Sequence, residues 1–270
     1  MTTPVLGGEP GDAGLFGPDS VAWRLHADPV MMVAAIRALL VQALEPRAMA
    51  GVDQHSNYRE NPWVRLNRTV EFILATTYGD TATAEAACAT VRRIHDHVHG
   101  VDPVTGRAYS AHDPDLLLWV HAVEVHSILI AYRRFAHRVS DADADHYVAE
   151  MARVAELLGL PRALAPRSLG DLRDYLRNVD GLRMSAAARD GMRTILAPPM
   201  PVAMRPVSVV PITAAISILP RVARRLYRLP WFAPATPSVR MTVFGLSRVL
   251  NVLVPDHPTL REARARVSAA

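Results

Sequence analysis

The sequence predicts an all-α protein. Apolar residues recur with the 3.6-residue helical period, capping residues repeatedly precede those runs, and no run alternates as a half-buried strand does. Half of the 270 residues are apolar, enough to bury a sizeable core in one large helical domain or one domain with an appendage.

The first helix is predicted from Asp28-Pro29 through VMMVAAIRALLVQAL to Glu45-Pro46, where the proline stops or kinks it. Asn61 reads as an N-cap with Pro62 at the first helical position, and WVRLNRTVEFILATTY then runs to Gly79. Asp80 or Thr81 starts the next helix, through VRRIHDHVH, closed by Gly100. After the loop VDPVTGRAYSAH, Asp113-Pro114 opens DLLLWVHAVEVHSILIAYRRFAHRV, apolar on nearly every face and so predicted to be buried. A further helix spans about Ser140 to Leu158, and Ser168 with Asp171 forms a capping box for LGDLRDYLRNV. The chain is predicted to divide into an extended N-terminal segment (1–20), a helical core (21–196) and a proline-punctuated helical segment (197–270) packed on that core.

Composition excludes several classes. A single cysteine, Cys88, allows neither an intramolecular disulfide nor a CxxCH haem attachment, and it fits a reducing cytoplasm. The N-terminus carries neither the basic nor the apolar region of a secretory signal, so the chain is expected to begin near Met1. All thirty basic side chains are arginine, as a GC-rich genome would give. They are spread along the chain without an aromatic-interleaved patch, so a net charge of +4 does not imply nucleic-acid binding. No GxSxG elbow or phosphate-cradling glycine loop occurs. The cluster Arg221, Arg224, Arg225 and Arg228 beside Leu226, Tyr227, Leu229, Trp231 and Phe232 fits a packed, solvated helix, with an anionic membrane surface as the less favoured reading.

Five polar positions lie in or beside apolar faces. His95 falls in the stripe Ala84, Ala87, Cys88, Val91, Ile94 and Val98, which singles it out as inward-facing; His97 should be exposed, and His99 should occupy the last helical turn. A lone inward histidine is more often a hydrogen-bonded core residue than a ligand. His121 and Glu124 share one face of the buried helix, and a buried carboxylate requires a partner, an arginine being the simplest. The reversed His121-x-x-Glu124 is a poor match to the paired Glu-x-x-His elements of a di-iron bundle. Arg65 and Thr69, four apart, either point into a pocket or do something plainer: Arg65 extending to solvent and Thr69 bonding back to a carbonyl.

Taken in order, GLFGPDSVAWRLHADP, ALLVQALEPRAMAGVDQHS, RLNRT, TYGD, VRRIHDHVHG, GRAYSAHDPDLLLWVHAVEVHS and AYRRF resemble the MpaB-type oxygenase family, itself similar in its core to the latex-clearing rubber oxygenases. The likeness covers about residues 14–160, and its specificity lies in many ordered blocks rather than any single one. It implies a globin-like multi-helix core with additional C-terminal helices, holding non-covalent haem b. On that likeness RLNRT supplies Arg65 and Thr69 as donors beside the cofactor, and VRRIH supplies His95 as the proximal iron ligand, with His121 as rival or second axial ligand. Glu45 departs from the pattern, standing in ALEP where many relatives carry a histidine, so a role attached to that histidine is not carried over. The resemblance implies an oxidoreductase acting with dioxygen on an apolar, isoprenoid or lipid-like substrate, in the cytoplasm or peripherally on a membrane. The alternative from another class is a non-catalytic helical protein that binds an apolar ligand, with or without haem.

Overall fold

The computed structural model describes residues 8–136, 138–201, 205–231, 233–253 and 257–269. Among the described residues are thirteen α-helices and one two-stranded hairpin, so the fold class is all-α.

The helix α6 (Pro114–Phe135) runs through the centre. It buries Leu116, Trp119, Ala122, Val123, Val125, Ile128, Leu129, Ala131, Tyr132 and Phe135, which no single face of a helix would contain. By length and composition it is the one described helix apolar enough to cross a membrane, but most of it is enclosed by the rest of the chain. Along it packs α2 (Met31–Gln42), burying Val33, Ala34, Ala38, Leu40 and Val41. Trp119 ties the two together, donating from Nε1 to the Gln42 carbonyl at 3.1 Å.

A second layer surrounds this pair. The helix α7 (Asp141–Leu157), capped by Ser140, packs on α6 and on α1 (Val21–His26), and α8 (Leu169–Asn178) starts with the reciprocal Ser168–Asp171 capping box. Further along, α9 (Ala186–Leu196), α10 (Arg205–Ser217) and α11 (Arg221–Tyr227) follow α2: Leu219, Ala223 and Tyr227 join Leu40, Val41 and Leu44 in one apolar cluster. Tyr227 donates its hydroxyl to the Leu40 carbonyl at 2.7 Å. α12 (Thr236–Leu253) lies on α10 and α6, held by Ser247 Oγ donating to Asp28 Oδ1 at 3.0 Å. The last helix, α13 (Pro258–Ser268), returns to the N-terminal region, where Arg266 donates to the carbonyls of Asp12 and Tyr78.

Three local expectations are corrected. Pro46 does not merely stop a helix; it is the first residue of α3 (Pro46–His55), and Glu45 is its N-cap, accepting from Ala48 N at 2.6 Å. The helix predicted to reach Gly100 ends at His95, and His99–Val101 pairs antiparallel with Ala108–Ser110 as the hairpin β1–β2. A Cβ on Gly100 would sit 2.8 Å from Gln54 Oε1 and 3.0 Å from the Tyr109 hydroxyl, so this glycine serves close packing rather than a helix stop. The six-residue α1 has no predicted counterpart. Phe232 and residues 1–7 lie outside the described residues.

Candidate functional site

The helices α4 (Pro62–Tyr78) and α5 (Thr81–His95) form a hairpin joined only by Gly79 and Asp80, whose carboxylate caps α5 by accepting from Thr83 N at 2.8 Å. The short connection fixes the register of the pair. Arg65 and His95 both lie roughly 21 Å along their helices from the connection, counted at about 1.5 Å per residue. α4 is incompletely covered: Thr76, Thr77 and Tyr78 are buried, but nothing between Pro62 and Ala75 is, although that stretch contains Trp63, Val64, Leu66, Val70, Phe72, Ile73 and Leu74. Val64 and Val70 are 47% and 42% exposed, an apolar helix flank without a covering element.

His95 closes α5 with its side chain half-buried, and its Nδ1 is fully enclosed without a hydrogen-bond partner. Burial, then the nearby His112, lowers its pKa, so the ring is neutral at neutral pH and keeps a lone pair free to bind a metal. The His112 ring stands edge-on to it at 5.9 Å, with its own Nε2 2.8 Å from Asp96 Oδ1. His97 is exposed, as its place opposite Val91 predicts. Ile94, expected in the inward stripe, is 55% exposed. Arg65 is half-buried and donates from Nη1 to Ser56 Oγ at 3.1 Å; burial lowers its pKa. Thr69 is exposed and donates to the Arg65 carbonyl at 3.1 Å, the plainer of its two arrangements.

His121 lies within α6, buried, with Nε2 enclosed and unpartnered, and burial pushes its pKa down to about 4. One turn on, Glu124 has no arginine within ion-pair distance among the described residues. Burial instead pushes its carboxyl up to about 7.

Two polar groupings have no counterpart in the sequence expectations. His26 sits with Nδ1 2.7 Å from Thr77 Oγ1 and Nε2 2.8 Å from the Tyr147 hydroxyl, and burial holds it near 4. Burial and the nearby Glu124 carboxyl raise the Tyr147 phenol. These residues connect the ends of α1 and α4 to α7. Arg37 is buried in the α2–α6 seam with no carboxylate; it donates to the Ile218 carbonyl at 3.0 Å and Ser127 Oγ at 2.5 Å, and its Nη2 lies 3.3 Å from His126 Nδ1. His126, desolvated and beside this cation, falls to about 3. The only sequence signal for either grouping is a polar residue inside an apolar period.

No group of three His, Cys, Asp or Glu side chains converges in a metal-binding arrangement among the described residues. Cys88 is buried, and desolvation pushes its thiol up to about 11, which leaves it unreactive as a nucleophile. No curated protein and no solved structure matches the chain significantly. The family described as "ER-bound oxygenase mpaB/B'/Rubber oxygenase, catalytic domain" matches residues 23–250, from α1 to within α12 and thus across most of the helical structure just described; the chain belongs to this family of oxygenase catalytic domains.

Proposed function

We propose that the protein is a haem-b-dependent oxygenase that acts with dioxygen on an apolar, isoprenoid or lipid-like substrate, in the cytoplasm or peripherally on a membrane. The observation that carries this reading is the enclosed, unpartnered imidazole nitrogen of His95 at the end of the incompletely covered α4–α5 hairpin. A buried polar atom without a partner costs free energy, typically about 1–3 kcal/mol, and such an atom is retained more readily where the ring has a binding role.

The residues fit the cofactor. Iron held by a porphyrin needs one or two neutral imidazoles rather than a side-chain cluster, and His95 and His121 are both neutral at physiological pH. His95 would hold the iron, with His121 as rival or second axial ligand. The apolar flank of α4 would lie against the macrocycle and substrate, and the Arg65 guanidinium would neutralise a propionate or charge developing on oxygen. Thr69 could serve the same end only by giving up its bond to the Arg65 carbonyl. Glu124, held near 7, can keep or release a proton at neutral pH beside Tyr147. Bound there, the haem would supply dioxygen activation, and the chain would supply ligation, apolar positioning and exclusion of water.

The test is the absorption spectrum of protein purified after expression with added haem precursor, followed by incubation with a polyisoprenoid in air. A Soret band and an oxygenated product support the proposal. Folded protein that stays colourless and refuses hemin overturns it in favour of an apolar-ligand carrier; a haem protein without product leaves the non-catalytic haem carrier.

A further inference from the structure

Charge is distributed unevenly along the chain. From Gly191 to Pro255 there is no aspartate or glutamate, whereas Arg193, Arg205, Arg221, Arg224, Arg225, Arg228, Arg240 and Arg248 all fall there; the rest of the chain carries more acids than arginines. Among the described residues, Arg205, Arg221, Arg224, Arg225, Arg228, Arg240 and Arg248 take part in none of the ion pairs. Arg221, Arg224, Arg225 and Arg228 instead line, with Leu229, Pro230 and Trp231, a surface depression of about 460 Å³.

Arg228 adds an independent observation. It ends α11 in the left-handed region at φ 53°, with Leu229 N donating back to the Arg224 carbonyl at 2.9 Å. Glycine fits that conformation without strain. It is the only non-glycine residue at positive φ among those described, and it adds a further cation to the cluster.

The neighbouring helix exposes apolar side chains. Trp231 links the depression to α12 through its indole, which donates to Thr236 Oγ1 at 2.9 Å. α12 packs inward through Val243 and Ser247, while Met241 and Val252 point the other way and are 70% and 82% exposed, with Leu253 at 72%. On α11, Val222 is exposed between the arginines.

We propose that α11 and the outward face of α12 form a docking surface for an anionic lipid bilayer, with the arginine cluster on the headgroups and Met241, Val252 and Leu253 at the acyl boundary. The surface gives the membrane contact of the preceding section a place and a lipid chemistry, and it is independent of haem and catalysis. Charge complementarity favours this occupant: unpaired guanidiniums without compensating acids attract a negative surface, and exposed aliphatic side chains add the apolar contact that a bilayer rewards. Nucleic acid would satisfy the arginines but not the aliphatic stripe.

Sedimentation of the full-length protein with lipid vesicles tests this, in the haem-free and haem-loaded forms alike. Vesicles of phosphatidylcholine containing about a third phosphatidylserine should retain the protein, and phosphatidylcholine alone should not. About 1 M salt, with its Debye length of roughly 3 Å, should release it. Replacing Arg221, Arg224, Arg225 and Arg228 together by Gln should weaken retention at least about tenfold. Arg228→Gly should weaken it about fivefold while leaving Tm unchanged or higher, which separates docking from folding. Met241→Ser with Val252→Ser should also reduce retention. Equal retention by both lipids, undiminished retention of the fourfold variant, or a preference for RNA over anionic vesicles would each overturn the proposal. None of these results bears on the Soret band.

Discussion

The α2–α6 pair is built from strongly apolar helices and the α4–α5 hairpin from more polar ones, and the apolar side chains of the two end in different environments. In the first, Leu40, Val123 and Val125 are all but inaccessible, and even a lone guanidinium, that of Arg37, is supplied with a carbonyl and a hydroxyl. In the second, Val64 and Val70 remain largely exposed, and His95 keeps an imidazole nitrogen enclosed without a partner. Stability is concentrated in the first region. The second retains unmet apolar and polar capacity beside the residues proposed to hold haem, which is what a ligand-binding flank requires.

Substitutions in the two regions should therefore differ sharply. Leu40→Ala should lose about 2–5 kcal/mol by transfer and cavity terms, seen as a lower urea midpoint. If that loss stayed within about 0.5 kcal/mol, the seam would not be the stabilising region.

Glu124 allows a test by pH. Its carboxyl is raised to about 7 from an ordinary 4.5, so the native state holds a proton the unfolded chain has released, and the group's contribution falls as pH rises between those values. Glu124→Gln removes that penalty. Its stability relative to the parent should rise by up to about 3 kcal/mol between pH 5 and pH 8; a flat difference would place Glu124 in water. His26, His121 and His126 act in the opposite sense, being depressed to about 4, 4 and 3. They remain neutral while the unfolded chain takes up protons, so the parent should lose stability as pH falls below about 6.5.

Smaller effects complete the series. Ser168→Ala removes half of the α8 capping box and should cost about 1 kcal/mol. Val70→Ala, on the exposed flank of α4, should lie within about 0.5 kcal/mol in the haem-free protein. A comparable loss at Val70 and Leu40 would erase the distinction between the regions.

The long elements were legible because two signals agree at each: a capping residue opens α5, α7 and α8, and an apolar run sustains α6. What was not legible is where one residue has two possible roles. Pro46 serves equally to end a helix or to begin one, and only the capping carboxylate of Glu45 decides. Gly100 reads as a helix stop but answers to Gln54 and Tyr109, more than forty residues earlier and nine later. At the site, periodicity distinguishes His95 from the exposed His97 and finds His121 with Glu124. The contacts of His26 with Thr77 and Tyr147 depend on tertiary packing between helices distant in sequence, for which a single chain carries no local pattern.

Hemin titration of His95→Ala and His121→Ala, followed at the Soret band with helical content checked by circular dichroism, tests the assignment of the iron ligand most directly. The account predicts that His95→Ala abolishes or greatly weakens binding while the helices persist, and that His121→Ala still binds, with a shifted spectrum or lower stability. Retained hemin in His95→Ala together with its loss in His121→Ala would contradict the assignment and move the ligand from the end of α5 to the middle of α6.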